Sequence, residues 1–456
     1  MSHQIIKIFC FIYELCIFLI IKIKLNTKKN LIFIPHGEKY YDDLNGKTSL
    51  TKDIVLNLKK KNYYPFLLHK QKKNQYDIRL FERVFKYVPI LKKNFNKNLA
   101  ALRKNLLKIK YKKNTIEKFL QTRSKLELIF FNNNNNSLLS FHHTAPLATG
   151  VSKWILFIEN PITIFHPFLV QHKLKKKMDI EKFDFYKIIK NHILNTSCKK
   201  IFVNYYYTQK TIPEIFKDTR LKKKIVYFRQ GTKNILNYNR NVFFKKKHKE
   251  LKNKNFNFLF VNSFNHQDHN FYSRGGKFLL TAFNYIKKNY PNSTLTICSK
   301  VPSDFEPLVK SDKNINYIKH WISKYEWVSL FKNAHFLISP GIGGFTETNL
   351  HCMMNGTILI SGNHFINTEK FKDRFISLKS LDMAINSINI KNFVTVPDYN
   401  FFFRNSSSKK VAIDIEKSVN AFIKQKKYYK YIKKNYQEYL TKFNFKNSII
   451  DFNKYL

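Results

Sequence analysis

SPGIGGFTETNLHCMMNGTILISGN, residues 339–363, holds five of the 11 glycines in a chain of 456 residues. An apolar run, His335–Ser339, leads into it, and a second run, Thr357–Ser361, closes it. Between them lies a helix-compatible stretch, so the segment reads as strand, glycine loop, helix, strand. In an open parallel sheet, ligands bind beyond the carboxyl ends of strands, which is where 339–356 falls. Gly343 and Gly344 let backbone approach a ligand, and a helix starting near Phe345–Thr346 points free N–H groups and its positive end outward. That combination suits a phosphate or diphosphate. Glu347 and His351 are four residues apart and share a helix face, and Gly356 permits a close turn into the next strand. The same glycines also fit a plain strand–helix turn in which they only relieve packing.

The pattern repeats along the chain. Short continuous apolar runs occur at Leu31–Ile34, Tyr63–Leu68, Leu126–Phe131, Trp154–Ile158, Ile201–Val203 and Ile225–Phe228. They continue at Phe256–Val261, Thr294–Cys298 and Ile315–Ile318, before the two runs around the glycine loop. Continuous runs of this length suit strands buried on both faces of a parallel sheet. Amphipathic stretches such as Lys277–Lys288 lie between them, and this alternation predicts an α/β protein with two doubly wound domains. Arg229–Glu250 is polar, basic and without clear periodicity, and reads as the join. The expected division is a hydrophobic segment 1–28, a first Rossmann-like domain 29–236 and a second domain 237–408. A basic helical tail, 409–456, is expected to pack back on the first domain.

Composition points to anionic partners. Lys plus Arg number 82 against 30 acids, a formal charge of +52, which favours nucleic acid or a cytoplasmic membrane face. The same excess accompanies abundant Asn, Ile, Phe and Tyr and scarce Gly, Pro and Ala, as a nucleotide-biased genome would produce. Aromatics stand among lysines at 424–434, yet no RNA-recognition motif is found. The five cysteines are scattered, without a CxxC pair or a zinc spacing, which predicts a reducing compartment and no structural metal. Ile8–Ile21 is strongly apolar but interrupted by Glu14 and short of a roughly 20-residue span. It reads as an anchor or interfacial helix, or else as a buried first helix or leader. The lysines after it would keep the remaining chain cytosolic.

Four blocks carry a resemblance. FNFLFVNSF (256–264) opens a domain, and YSRGGKFLLTAFNYIKKNYPNSTLTICSK (272–300) sets a basic residue and glycine ahead of a helix, then proline and an apolar strand. HWISKYEWVSLFKNAHFLISP (320–340) follows, and GGFTETNLHCMMNGTILISGN (343–363) closes the series. In order and spacing, 256–361 resembles the C-terminal donor domain of GT-B-fold glycosyltransferases, nearest to family 4 (group 1). The last block falls on that family's E-G-F-G…E-A-M-A-x-G-x-P-V-I signature. The resemblance implies two Rossmann-like domains facing across a cleft and a nucleotide-sugar donor held without a metal or other cofactor. Arg274 and Lys277 then neutralise the donor diphosphate, with Gly343, Gly344, Phe345, Thr346 and His351 in the donor site. This chain departs from the pattern. Gly343 and His351 stand where the family has paired Glu, and Thr346 replaces a usual glycine. Glu347, one turn along, is the substitute for the sugar contact, and His351 can hydrogen-bond a ribose hydroxyl through a ring nitrogen. Donor binding tolerates these departures better than catalysis does, so an inactive relative is one expectation.

The first half resembles the family loosely, in KNLIFIPHGEKYYDDL (29–44), KKIFVNYYYTQKTIPEIF (199–216) and IVYFRQGTKNIL (225–236). SFHHTAPL (140–147) offers His143 as a base or a contact to the transferred sugar, with a structural histidine as the plain alternative. Glu159 is a weaker candidate of the same kind. The implied activity is a retaining, metal-independent transfer to a glycan or lipid-linked acceptor in cell-surface polysaccharide or glycolipid assembly. The implied place is cytoplasmic, peripheral on an anionic membrane surface, with no specific nucleic acid partner. Alternatives are a nucleotide-sugar epimerase on the same fold, or a non-catalytic basic binder of membrane or RNA.

Overall fold

The computed structural model describes residues 31–34, 64–67, scattered helical positions between 93 and 117, 139–143, 153–158 and 161–165. It further describes 181, 184–262, 270–320, 322–341, 346–362, 374–381, 408–424 and 427–447. Twelve strands in this set form two six-stranded sheets, all of whose pairings are parallel.

The first sheet comprises β1 (Leu31–Ile34), β2 (Tyr64–Leu67), β3 (Leu139–His143), β4 (Lys153–Ile158), β5 (Cys198–Val203) and β6 (Ile225–Tyr227). Its order is β2-β1-β3-β4-β5-β6. Helices α1 (Asp184–Leu194) and α2 (Tyr206–Ile215) connect the last strands. The core gathers Trp154, Leu156 and Ile158 of β4 with Ile189, Ile193 and Phe216.

The second sheet comprises β7 (Asn257–Val261), β8 (Thr294–Cys298), β9 (Ile315–Ile318), β10 (Phe336–Ser339), β11 (Ile358–Gly362) and β12 (Phe375–Leu378). Its order is β12-β11-β10-β7-β8-β9. Alternation along the strands explains why their runs are continuously apolar. Phe258, Phe260, Phe336, Ile338, Ile358 and Ile360 face one core, while Leu259, Val261, Leu337 and Leu359 face another. Around the sheet lie α3 (Arg240–Lys252), α4 (Gly276–Asn289), α5 (Glu306–Ser311), α6 (Lys324–Asn333) and α7 (Thr346–Asn355).

Two doubly wound α/β units are therefore present, as expected. The run Leu126–Phe131 lies outside the described residues, as do the apolar N-terminal segment and the first half's Glu159. Two strands escaped the apolar-run pattern. β3 carries Ser140, His142 and His143, too polar to register as an apolar run, and β12, FISL, is broken by Ser377 and only half-buried at its centre.

The join is shorter than expected. Arg240–Lys252 is helical, started by Asn239, whose side chain accepts a hydrogen bond from the Val242 amide at 3.2 Å. Its buried positions are Arg240, Phe244, Lys247 and Leu251, so its helical period is disguised by an arginine and a lysine in the core stripe. The tail also differs from expectation. Helix α8 (Ser408–Lys424) buries Val411, Ala412, Ile415 and Val419 against the second domain, and α9 (Tyr428–Glu438) adds Tyr428 and Ile432. The stripe of α8 packs on the flank of α4 that carries Phe278, Ala282 and Phe283, while α9 packs on α7 and α3. Only the last turn leaves that surface. The Thr232 amide donates to the Phe443 carbonyl at 3.1 Å, and Tyr439 Oη donates to the Thr232 carbonyl at 3.0 Å, closing the tail on the linker.

No helix of the described residues is long and apolar enough to cross a membrane.

Candidate functional site

Outward from β7, the second sheet runs β8-β9 on one side and β10-β11-β12 on the other. The order reverses between β7 and β10, so the chains leaving those two strands diverge and leave a crevice at their carboxyl ends. The segments that leave these two strands decide what the crevice can bind.

After β7, a one-turn helix (Asn270–Ser273) leads into Arg274, Gly275 and Gly276, and α4 begins. After β10 come Pro340 and Gly341. These segments, more than sixty residues apart in sequence, are joined by the Gly341 amide, which donates to the Arg274 carbonyl at 3.0 Å. Gly275 makes the approach possible. Its φ of 82° is the left-handed conformation that side-chain-bearing residues avoid. A Cβ there would sit 2.4 Å from Pro340 Cγ and 2.8 Å from the Gly341 nitrogen. Tyr272 Oη donates to Asp304 Oδ2 at 2.6 Å and ties the turn to the chain beyond β8. Arg274 and Lys277 are both half-buried at this turn. The Arg274 backbone thus meets the start of the glycine-rich loop, and Lys277 stands in the first turn of α4.

Gly343, Gly344 and Phe345 lie outside the described residues, and Thr346 is described only as the first residue of α7. Glu347 stands in the first turn of that helix, its side chain 12% exposed. One carboxylate oxygen, Oε1, is 3.7 Å from His351 Nε2, and the other, Oε2, is buried without a hydrogen bond. His351 is fully buried, with neither ring nitrogen hydrogen-bonded, and its ring lies 5.4 Å from that of Phe331. The expected direct contact from His351 to a ribose is therefore not how the side chain is placed. It backs Glu347, because the i, i+4 spacing stacks the two while packing against Phe331 turns the imidazole inward. Carboxylate and imidazole atoms left unpaired in the interior are costly unless something else meets them.

At the carboxyl edge, Ser361 Oγ donates to the Ser339 carbonyl at 2.8 Å, tying the ends of β10 and β11. Among the described residues, no group of three or more His, Cys, Asp or Glu could hold a metal ion. His266, Asp268 and His269 lie outside them.

In the first sheet the order β2-β1-β3 reverses between β1 and β3. His143 is the last residue of β3 and so ends at that switch point. His142 is a core residue, fully buried, with Nε2 3.0 Å from Ser140 Oγ and its ring edge-on to Trp154 at 6.0 Å. The role of a structural histidine holds for His142.

Sequence reasoning missed a second polar cluster, at the opposite edge of the same sheet as the glycine loop. Lys247 is buried there at 1% exposure, beside His335, Thr357 and Tyr428. His335 Nδ1 accepts from the Asn257 amide at 3.0 Å, and Nε2 lies 3.3 Å from Glu250 Oε2. Burial and the nearby Lys247 charge pull its pKa down to about 3. The only signal for this cluster was a lysine at a helical core position, easily lost among so many lysines.

No family model matches the chain, and no curated protein matches it. Solved structures are similar at low identity. Anabaena HepE in complex with UDP and glucose aligns at a TM-score of 0.47 and 9% identity, over 93% of this chain and 98% of that one. A UDP-forming α,α-trehalose-phosphate synthase from Burkholderia xenovorans aligns at 0.47 and 10%, over 94% and 98%. WaaG, a glycosyltransferase involved in lipopolysaccharide biosynthesis, aligns at 0.45 and 10%, over 93% and 98%.

Proposed function

We propose that this chain is a glycosyltransferase that takes a nucleotide-sugar donor at the switch point of its second sheet. The observation that carries this reading is the junction of Arg274–Gly275–Gly276 with Pro340–Gly341, sealed by the Gly341 amide on the Arg274 carbonyl. In this reading Arg274 and Lys277, beside that junction in sequence, and the amino end of α7 serve one ligand. A diphosphate fits that charge. When the bond between the anomeric carbon and the diphosphate oxygen breaks, negative charge grows on the leaving oxygen, and the cations with the helix end stabilise it. No metal is needed for that step. Glu347, with His351 one turn behind it, supplies the polar contact to the donor sugar in place of the residue missing at Gly343. The acceptor enters on the side of the first sheet, where His143 at the β1/β3 switch point serves as base or sugar contact. A glycan or lipid-linked acceptor, retention at the anomeric carbon and a peripheral place on an anionic cytoplasmic membrane face belong to the same reading.

The test is thermal stabilisation of the purified protein by UDP, GDP, CMP and ADP, each repeated with Arg274→Ala. A ligand that binds only the native state raises the melting temperature. The expected result is that one nucleotide stabilises the wild type and not the variant. Stabilisation by none at millimolar concentration would overturn the reading and favour a non-catalytic basic binder. Turnover of free nucleotide-sugar without any acceptor would instead point to an epimerase.

A further inference from the structure

At the amino edge of the second sheet, α6 and α7 end in the same buried spot. A helix leaves its last carbonyls without intrahelical donors, and in the interior water does not supply them. Here side chains do: Thr357 Oγ1 donates to the Phe331 carbonyl at 2.5 Å and Tyr428 Oη to the Gly356 carbonyl at 2.8 Å, and Lys247 reaches both helix ends at once. Lys247 Nζ donates to the Ala334 carbonyl at 2.5 Å and the Phe331 carbonyl at 3.3 Å, from the end of α6. It also donates to the Asn355 carbonyl at 3.0 Å, the Gly356 carbonyl at 3.4 Å and Thr357 Oγ1 at 3.4 Å, from the end of α7. Five oxygens surround a group with three protons, the coordination a bound monovalent cation would receive. No carboxylate oxygen lies within 4.0 Å of Nζ among the described residues. The charge is met by carbonyl oxygens and by the negative ends of two helix dipoles.

A buried charge without a carboxylate is expensive, and an apolar side chain of the same shape would fill the space at lower cost. What an apolar side chain cannot do is bridge the two helix ends, meeting the Ala334 carbonyl of one and the Asn355 carbonyl of the other. Burial pulls the Lys247 pKa down to about 7, against which the charge of Glu250 on the same helix favours the protonated form. Helix α7 spans ten residues, about 15 Å, with this cluster at one end and Glu347 in the first turn at the other.

We propose that the Lys247 ammonium is a built-in cation that clamps the ends of α6 and α7 and thereby fixes the amino end of α7 at the switch point. Lys247 is a positioning residue for the donor site, a role that rests on the glycosyltransferase reading; the clamp itself does not.

The experiment uses the full chain with Lys247→Met and Lys247→Ala. Both lower the melting temperature by about 5 °C or more, and amide exchange over 347–355 accelerates about tenfold or more relative to α4. Ethylammonium chloride, but not sodium chloride at the same ionic strength, restores at least half of the loss in Lys247→Ala. It does nothing for Lys247→Met, whose side chain fills the cavity. UDP, used as the probe at a temperature where each variant is folded, binds Lys247→Met about tenfold or more weakly, and ethylammonium recovers affinity only in Lys247→Ala. A Lys247→Met protein with wild-type melting and wild-type exchange over 347–355 overturns the proposal, as does a Lys247→Ala protein that ethylammonium fails to rescue. Should neither variant fold, native-state amine acylation of the wild type decides. Lys247 is expected to stay unlabelled while exposed Lys245, Lys246 and Lys249 react, and comparable labelling of Lys247 overturns the clamp. If UDP fails to bind the wild type, the donor-site reading falls while exchange and rescue still judge the clamp.

Discussion

The two ends of α7 are built to opposite specifications. At its carboxyl end every group is met. Gly356 turns out at φ 65°, the Thr357 amide donates back to the Cys352 carbonyl at 3.0 Å, and Lys247 and Tyr428 Oη both donate to the Gly356 carbonyl. The Asn355 side chain donates to the His351 carbonyl at 2.9 Å and accepts from Tyr238 Oη at 2.8 Å. At its amino end, Glu347 keeps a buried oxygen unpaired and His351 leaves both ring nitrogens unpaired. One end commits its polar groups to the fold and the other holds them in reserve. A helix anchored at one end can present unpaired groups at the other without collapsing around them, which is what a preorganised binding site requires.

Substitutions can break that contrast. The largest effect is expected at the ligand end from Gly275→Ala. Left-handed strain and the collision with Pro340 together cost about 4 kcal/mol, and nucleotide stabilisation disappears with the junction. Denaturant titration with and without UDP checks both.

Acid should attack the anchored end first. The His335 pKa is depressed to about 3 in the folded protein, where protonation would set a second N–H against the Asn257 amide. The unfolded chain takes up that proton near its ordinary value, so stability falls as pH drops below about 6.5. Between pH 6 and 4 the loss from this group is about 3 kcal/mol. Denaturation midpoints across that range should fall less in His335→Asn than in the wild type, and parallel curves would remove His335 as the cause.

Arg274→Ala separates binding from folding. Stability should change by less than about 0.5 kcal/mol, while nucleotide affinity drops by about 2 kcal/mol, the value of hydrogen bonds to a charged partner. Calorimetric titration measures the second against thermal melting for the first. Tyr428→Phe is the mildest. Loss of its bond to the Gly356 carbonyl, 2.8 Å in the native protein, costs about 1 kcal/mol. Because Lys247 still meets that carbonyl, nucleotide affinity should be unchanged. A matching loss of affinity would show that the two ends are coupled more tightly than the clamp alone requires.

Most of the fold was legible because both faces of each sheet are covered, which writes a strand as a continuous apolar run. Trp154–Ile158 and Phe256–Val261 announced β4 and β7 in that way, to within a residue or so. β3 did not, since His142 is paired with Ser140 of its own strand and packed edge-on to Trp154 in the core, which no run of apolar residues signals. The helix α3 hid for a related reason, with Lys247 standing where the pattern called for an apolar residue. Of the candidate site, Arg274, Lys277 and Glu347 were picked from motif order. His351 was picked as well, as a contact to a ribose hydroxyl, whereas its side chain is buried against Phe331. Periodicity shows which residues share a helix face, but not what the rest of the chain lays against that face.

By itself, the sequence determined two parallel α/β units, their strand order along the chain and the glycine loop after β10, because burial period and backbone freedom are local properties. Tertiary structure alone decided that Arg274 meets Gly341, that the tail covers α4, and that Lys247 serves two helix ends. These depend on which distant segments come to share one small volume. Charge, hydrogen bonding and desolvation in that volume are set by neighbours that no stretch of sequence contains.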